Sequence, residues 1–144
     1  MNTFQIDWGL IIVANIYTII DESTLGAGAS TSLSDNQQAI KLTDKANTLV
    51  IQAKATGDAS CTEDVRVHIR GSIDDDDYST VDIGAYQTGY FDIPVSDDAG
   101  NVVRVVTAHD FAYNYLKFIV ENLDSGYGVS DILIRANIKT QDVT

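Results

Sequence analysis

Cysteine is nearly missing from this sequence: Cys61 stands alone, so the chain can build neither an internal disulfide nor a thiolate zinc cluster. Packing must hold the framework, and the lack of disulfides suits synthesis in a reducing cytosol. Lysine and arginine are scarce too. Nine of them, scattered singly, face twenty-one acids for a formal net charge of -12. No basic stripe exists to neutralise phosphates and release counterions, which speaks against nucleic acid and anionic membrane as partners. Such a negative chain also repels its own copies, so close assembly needs apolar contact, cations or a basic partner surface. Glutamate is rarer still: eighteen aspartates stand beside only Glu22, Glu63 and Glu121. Aspartate bonds its own neighbouring backbone and ends strands, whereas glutamate favours helices. The asymmetry predicts many short strands joined by Asp-rich turns.

No apolar run is long enough for a bilayer of about 30 Å. The run from Trp8 to Ile20 is interrupted by Asn15 and preceded by no Lys or Arg, the first basic residue being Lys41. That is not the pattern of a signal peptide, and the expectation is a soluble protein. Residues 10–20, LIIVANIYTII, hold five Ile and one Val, with both alternate faces apolar. This predicts a strand covered on both sides, or an arm that packs on a neighbouring subunit. Trp8, Leu10, Ile12, Ile16 and Tyr17 are its candidate interface residues. Gly26, Gly28 and the small residues through Ser34 form a connector. Residues 1–34 thus read as an N-terminal segment with its connector, and 35–144 as one folded domain, a length able to bury a sizeable core.

From Ala39 onward, period-two patterns recur between turn signals. In TLVIQAKA, Leu49, Ile51 and Ala53 face one way and Gln52 and Lys54 the other. In DVRVHIRGSI, Val65, Val67, Ile69 and Ile73 are expected inward, with Arg66, His68 and Arg70 outward. Further strands are expected at TVDIGAY, GYFDIPV and NVVRVVTA, at NYLKFIVENL with Leu116, Phe118 and Val120 inward, and at SDILIRANI with Ile132, Ile134 and Ile138 inward. Turns at Asp97-Asp98-Ala99-Gly100-Asn101 and Asp124-Ser125-Gly126 separate them, and Pro94 suits a strand end. The fold class expected is all-β: an antiparallel β-sandwich, jelly-roll-like.

Catalytic chemistry finds little support. His68 and His109 are the only histidines, no Gly-x-Ser-x-Gly elbow accompanies them, and no glycine-rich phosphate loop has the strand, Lys and helix it requires. Eighteen aspartates supply no identifiable acid–base pair. No catalytic residue is assigned and no enzyme is expected. The densest charge is Asp74-Asp75-Asp76-Asp77, either a solvated turn or a loop that binds calcium; the EF-hand pattern is absent. No other cofactor is indicated. Of the seven tyrosines, Tyr86, Tyr90 and Tyr113 fall near strand ends, where their rings can serve as an interface or as a stacking platform for sugars.

Four segments carry a resemblance: AIKLTDKANTLVIQAKAT at 39–56, VRVHIRGSIDDDDYST at 65–80, YLKFIVENLDS at 115–125 and VSDILIRANI at 129–138. Together they resemble small β-sandwich structural proteins of tailed bacteriophages, a group that includes capsid decoration proteins. The resemblance spans 39–138 and rests on packing and turn patterns; it carries over no active-site residue. It implies a virion protein, a capsid decoration or cement protein made in the host cytoplasm. The partners implied are the major capsid protein or other virion proteins, with the chain itself a homo-oligomer. A head–tail or tail component, and a carbohydrate-binding jelly-roll module using loop tyrosines, are the alternatives. The only tryptophan, Trp8, lies in the N-terminal segment, which leaves the sugar reading without a Trp platform.

Overall fold

Alternating apolar and polar side chains favour extended strands with one face turned to a core, and strands are the regular structure of the described residues. A computed structural model describes residues 12–33, 39–42, 47–80, 89–96, 100–109 and 114–141. Eight strands lie among them: β1 (Ile12–Leu25), β2 (Ile40–Lys41), β3 (Asn47–Gly57), β4 (Val65–Ser72), β5 (Tyr90–Ile93), β6 (Gly100–His109), β7 (Tyr115–Asn122) and β8 (Val129–Gln141). The described residues contain no helix.

Two four-stranded sheets form, in the orders β1-β8-β3-β6 and β2-β7-β4-β5. Every pairing is antiparallel. The pairs Val65↔Ile93, Thr48↔His109, Ile40↔Leu116 and Ile12↔Gln141 are nested one inside the next, all centred near Tyr78. The chain is therefore one long hairpin, rolled so that β8 also pairs with β3 and β7 with β4. That is a jelly roll, as expected.

The inward faces meet in one core. Leu49, Ile51, Ala53, Ile134 and Ile138 line the first sheet, and Ile40, Val65, Val67, Leu116, Phe118 and Val120 the second. Of the two readings of the N-terminal run, residues 12–25 are a strand, paired with β8 along its length. A register shift between Thr18 and Ile20 lets the consecutive Ile19 and Ile20 both be buried, which accounts for apolar side chains in adjacent positions.

One inward assignment fails. Ile73 is 73% exposed. β4 ends at Ser72, whose Oγ accepts from the N–H groups of Asp74 and Asp75, so the chain turns away before Ile73 can reach the core. Apart from Thr80, the TVDIGAY segment lies outside the described residues.

At one end the two sheets close to the limit set by a backbone without a side chain. A Cβ placed on Gly57 would stand 2.9 Å from Val95 Cβ and 3.2 Å from Val95 O. Val95 is itself buried. Gly57→Ala is expected to destabilise the fold by about 1–3 kcal/mol through overpacking. Urea denaturation should show a lower midpoint; an unchanged one would mean the two sheets do not approach this closely.

Candidate interaction surfaces

The outer face of the first sheet carries exposed aliphatic side chains. Strand registers align its side chains in rows: Ile16, Asn137, Val50 and Thr107; then Thr18, Arg135, Gln52 and Val105; then Asp21, Leu133, Lys54 and Val103. Ile16 is 70% exposed, Val105 56% and Val103 48%. A shallow groove between Ile16, Val50, Gln52, Arg135 and Asn137 runs across β1, β8 and β3. Arg135 spans it by donating from Nη2 to Gln52 Oε1. The N-terminal interface residues are split by the pleat. Ile16 points outward, whereas Tyr17 turns inward and packs against the core. Among the described residues, the expected cover on both sides of this strand is thus met on its inward face only. Ile12 opens β1 opposite Gln141. Trp8 and Leu10 lie outside the described residues, as do Tyr86 and Tyr113.

Val103 and Val105 were not among the candidate interface residues. Their signal was present in NVVRVVTA, where valines occupy both alternate faces of one strand.

The outer face of the second sheet is a charge ladder. Arg66 Nε and Nη2 donate to Asp92 Oδ1 and Oδ2 at 2.8 and 3.1 Å, and this hydrogen-bonded carboxylate raises the guanidinium pKa above its ordinary value. The same guanidinium lies 4.0 Å from the centroid of the Tyr90 ring. His68 Nε2 and Glu121 Oε1 are 2.9 Å apart beside it. Tyr90 is therefore half-buried and stacked under a cation, rather than presented as an open platform.

The aspartate run is organised by its first member. Asp74 Oδ1 accepts from the N–H groups of Asp76 and Asp77, each at 3.0 Å, and from Ser72 Oγ at 2.9 Å. Those bonds favour the ionised form and lower the Asp74 pKa. Asp75 takes a left-handed backbone conformation, with φ 64°, and accepts the Tyr78 hydroxyl. Burial and that bond push the Tyr78 pKa up. Among the described residues no group of three or more His, Cys, Asp or Glu side chains is placed to hold a metal ion.

At the opposite end, a single buried carboxylate joins two loops. Asp124 Oδ2 accepts from the N–H groups of Thr62 (2.7 Å) and Glu63 (3.2 Å), and Oδ1 from those of Gly126 (2.8 Å) and Tyr127 (3.0 Å). Its neighbour Asn122 is also buried, donating to the carbonyls of Tyr127 at 2.9 Å and Gly26 at 3.1 Å. The backbone donors, Thr62 first, hold the Asp124 pKa down at about 2.

No protein-family model and no curated protein sequence matches the chain. Among solved structures it is similar to the PRD1 vertex protein P5, with TM-score 0.44 and 13% identity over 90% of this chain and 95% of that one. It is similar also to the SPBc2 prophage-derived protein YomS, with TM-score 0.42 and 8% identity over 98% and 100% of the two chains. A third likeness is to the structure of infectious bursal disease virus Gx strain, with TM-score 0.33 and 8% identity over 98% of this chain and 44% of that chain. At such scores these likenesses carry no functional argument.

Two measurements check these sites. Because the Asp124 pKa is depressed on folding, its stabilisation is fully present above the ordinary carboxylate pKa near 4 and is lost as pH falls through about 2. Melting temperature followed from pH 7 to 2 should therefore fall along that limb. Asp124→Asn should melt lower at pH 7 and fall less steeply; equal curves for the two proteins would remove the loop-joining role. For the aspartate run, Asp74 is committed to its own turn, so calorimetric titration with calcium should give equal heats for the parent and the Asp75→Asn/Asp76→Asn variant. A calcium-dependent heat lost in the variant would establish a site there.

Proposed function

We propose that this chain is a structural protein of a bacteriophage virion, a capsid decoration or cement protein that binds other virion proteins and acts as a homo-oligomer. The observation that carries the reading is the exposed aliphatic set Ile16, Val103 and Val105 on the outer face of a rigid antiparallel sheet. Exposed apolar side chains gathered on one face suit contact with another protein, and the pleated strands fix them in place without an ordering cost.

The same two-sheet architecture serves both viral capsid domains and lectins, so fold alone does not choose between them. The side chains do. A sugar platform needs several open aromatic faces, yet Tyr17 is turned to the core and the Tyr90 ring lies under Arg66, which leaves Tyr127, 44% exposed, as the one exposed tyrosine among the described residues. Aliphatic side chains, which offer no stacking surface, are what the first sheet presents. The sequence resemblance over 39–138 supports the virion reading independently of this geometry.

A capsid lattice repeats one modest contact many times, so avidity anchors a small domain without a single tight site. The predicted result is saturable binding to undecorated phage capsids, with a copy number related to capsid symmetry when bound protein is counted by sedimentation. Failure to bind capsids, combined with selective retention on a glycan array, would replace this reading with the carbohydrate-binding one.

A further inference from the structure

Sheet edges differ sharply in this fold. The second sheet is blunted at both sides. β5 has only four residues, and the β7 edge is met by two-residue β2 and by residues 29–31, through Thr31 N to Val120 O and Asn122 N to Ala29 O, both 2.9 Å. Among the described residues the first sheet has no such protection. It ends in fourteen-residue β1 on one side and ten-residue β6 on the other, and no described strand pairs with the outer edge of either. Long edges that leave N–H and C=O groups unpaired are templates for another strand.

The two edges are complementary in direction, shape and charge. Strands alternate in direction across the sheet, so placing β6 of one copy beside β1 of the next, with the sheets continuous, pairs them antiparallel. Carrying the existing rows across without a shift sets Thr107 beside Ile16 of the next copy, Val105 beside its Thr18 and Val103 beside its Asp21. The exposed aliphatic side chains then form one continuous strip. β1 contains Asp21 and Glu22 and no cation, whereas β6 contains Arg104 and no carboxylate. In that register Arg104, whose Nη1 donates to the Asp92 carbonyl of its own copy at 2.7 Å, falls beside Ile20 of the next copy and diagonal to its Glu22, a separation of about 7–8 Å that the remaining guanidinium nitrogens can span. Pairing β1 with β1 would instead bring two acidic edges together.

We propose that copies of this chain associate head to tail by antiparallel pairing of the β6 edge of one copy with the β1 edge of the next, with Arg104 diagonal to Glu22 of the next copy. This deepens the homo-oligomer part of the proposed function by naming its contact. A chain that bound capsids but stayed monomeric in solution would keep the virion reading and lose this one. Because the contact joins two different surfaces, it closes into a ring or runs on as a filament, rather than stopping at a two-fold dimer.

Sedimentation velocity of the full chain over a range of concentrations is the test, with charge-reversed edges. Arg104→Glu and Glu22→Lys should each weaken association at least about tenfold, since like charges then face one another. Their equimolar mixture should recover association, because each variant supplies the edge the other needs, and the chain carrying both changes should recover it alone. Hydrogen exchange of the unaltered protein gives a readout independent of variant folding: amides of residues 12–25 and 100–109 should gain protection together as concentration rises. A parent chain that stays monomeric, a mixture that does not recover, or protection confined to one edge would each overturn the contact.

Discussion

Two strand pairings turn this chain from a ribbon into a domain. The nested partners β1·β8, β2·β7, β3·β6 and β4·β5 would by themselves give one long two-stranded hairpin, which is marginal in water. Pairing β8 with β3 and β7 with β4 wraps that ribbon into two sheets, and only then do the inward faces enclose a core. Phe118, on β7, is fully buried, and so are Leu49 on β3 and Ile134 on β8. The strands that make the cross-pairings are thus the ones that supply the core, so topology and hydrophobic burial favour the same arrangement. The surfaces that remain follow from this. β1 and β6 become the outer strands of the first sheet because each is used in only one pairing.

How much of this was legible in the sequence depended on where each residue's partners lie. In β3, β4, β7 and β8 both neighbours are strands and one face is core, so alternation is strict, and Leu49, Val67, Phe118 and Ile134 could be placed from spacing alone. β6 lies at an edge, and its valines occupy both faces; the pattern marks a strand but not which side meets water. Ile73 continued the alternation on paper, but a hydroxyl two residues before Asp74 ended the strand first. The importance of Asp124 could not be read from the sequence at all. It is one of eighteen aspartates, and although Asp-Ser-Gly marks a turn, its donors Thr62 and Glu63 lie sixty residues away along the chain. Only the fold makes them neighbours.

Charge is distributed by the same topology. The formal net charge of -12 would oppose any assembly if the acids covered every surface evenly. Instead, many described aspartates are used locally: Asp74 by its own turn, Asp92 by Arg66, and Asp64 by the Ser96 N–H at 3.1 Å. The central rows of the first sheet's outer face carry Lys54 and Arg135, and Asp21 is the carboxylate at their β1 margin. Repulsion between copies is therefore weakest where the exposed aliphatic side chains are. The acidic turn at 74–77 adds to repulsion between copies, while the outer face of the first sheet and its β6 edge, poor in acids, are where close contact costs least. The jelly roll sends its connecting turns to the ends of the strands, and that is why, among the described residues, the outer face of the first sheet carries aliphatic side chains with few acids beside them.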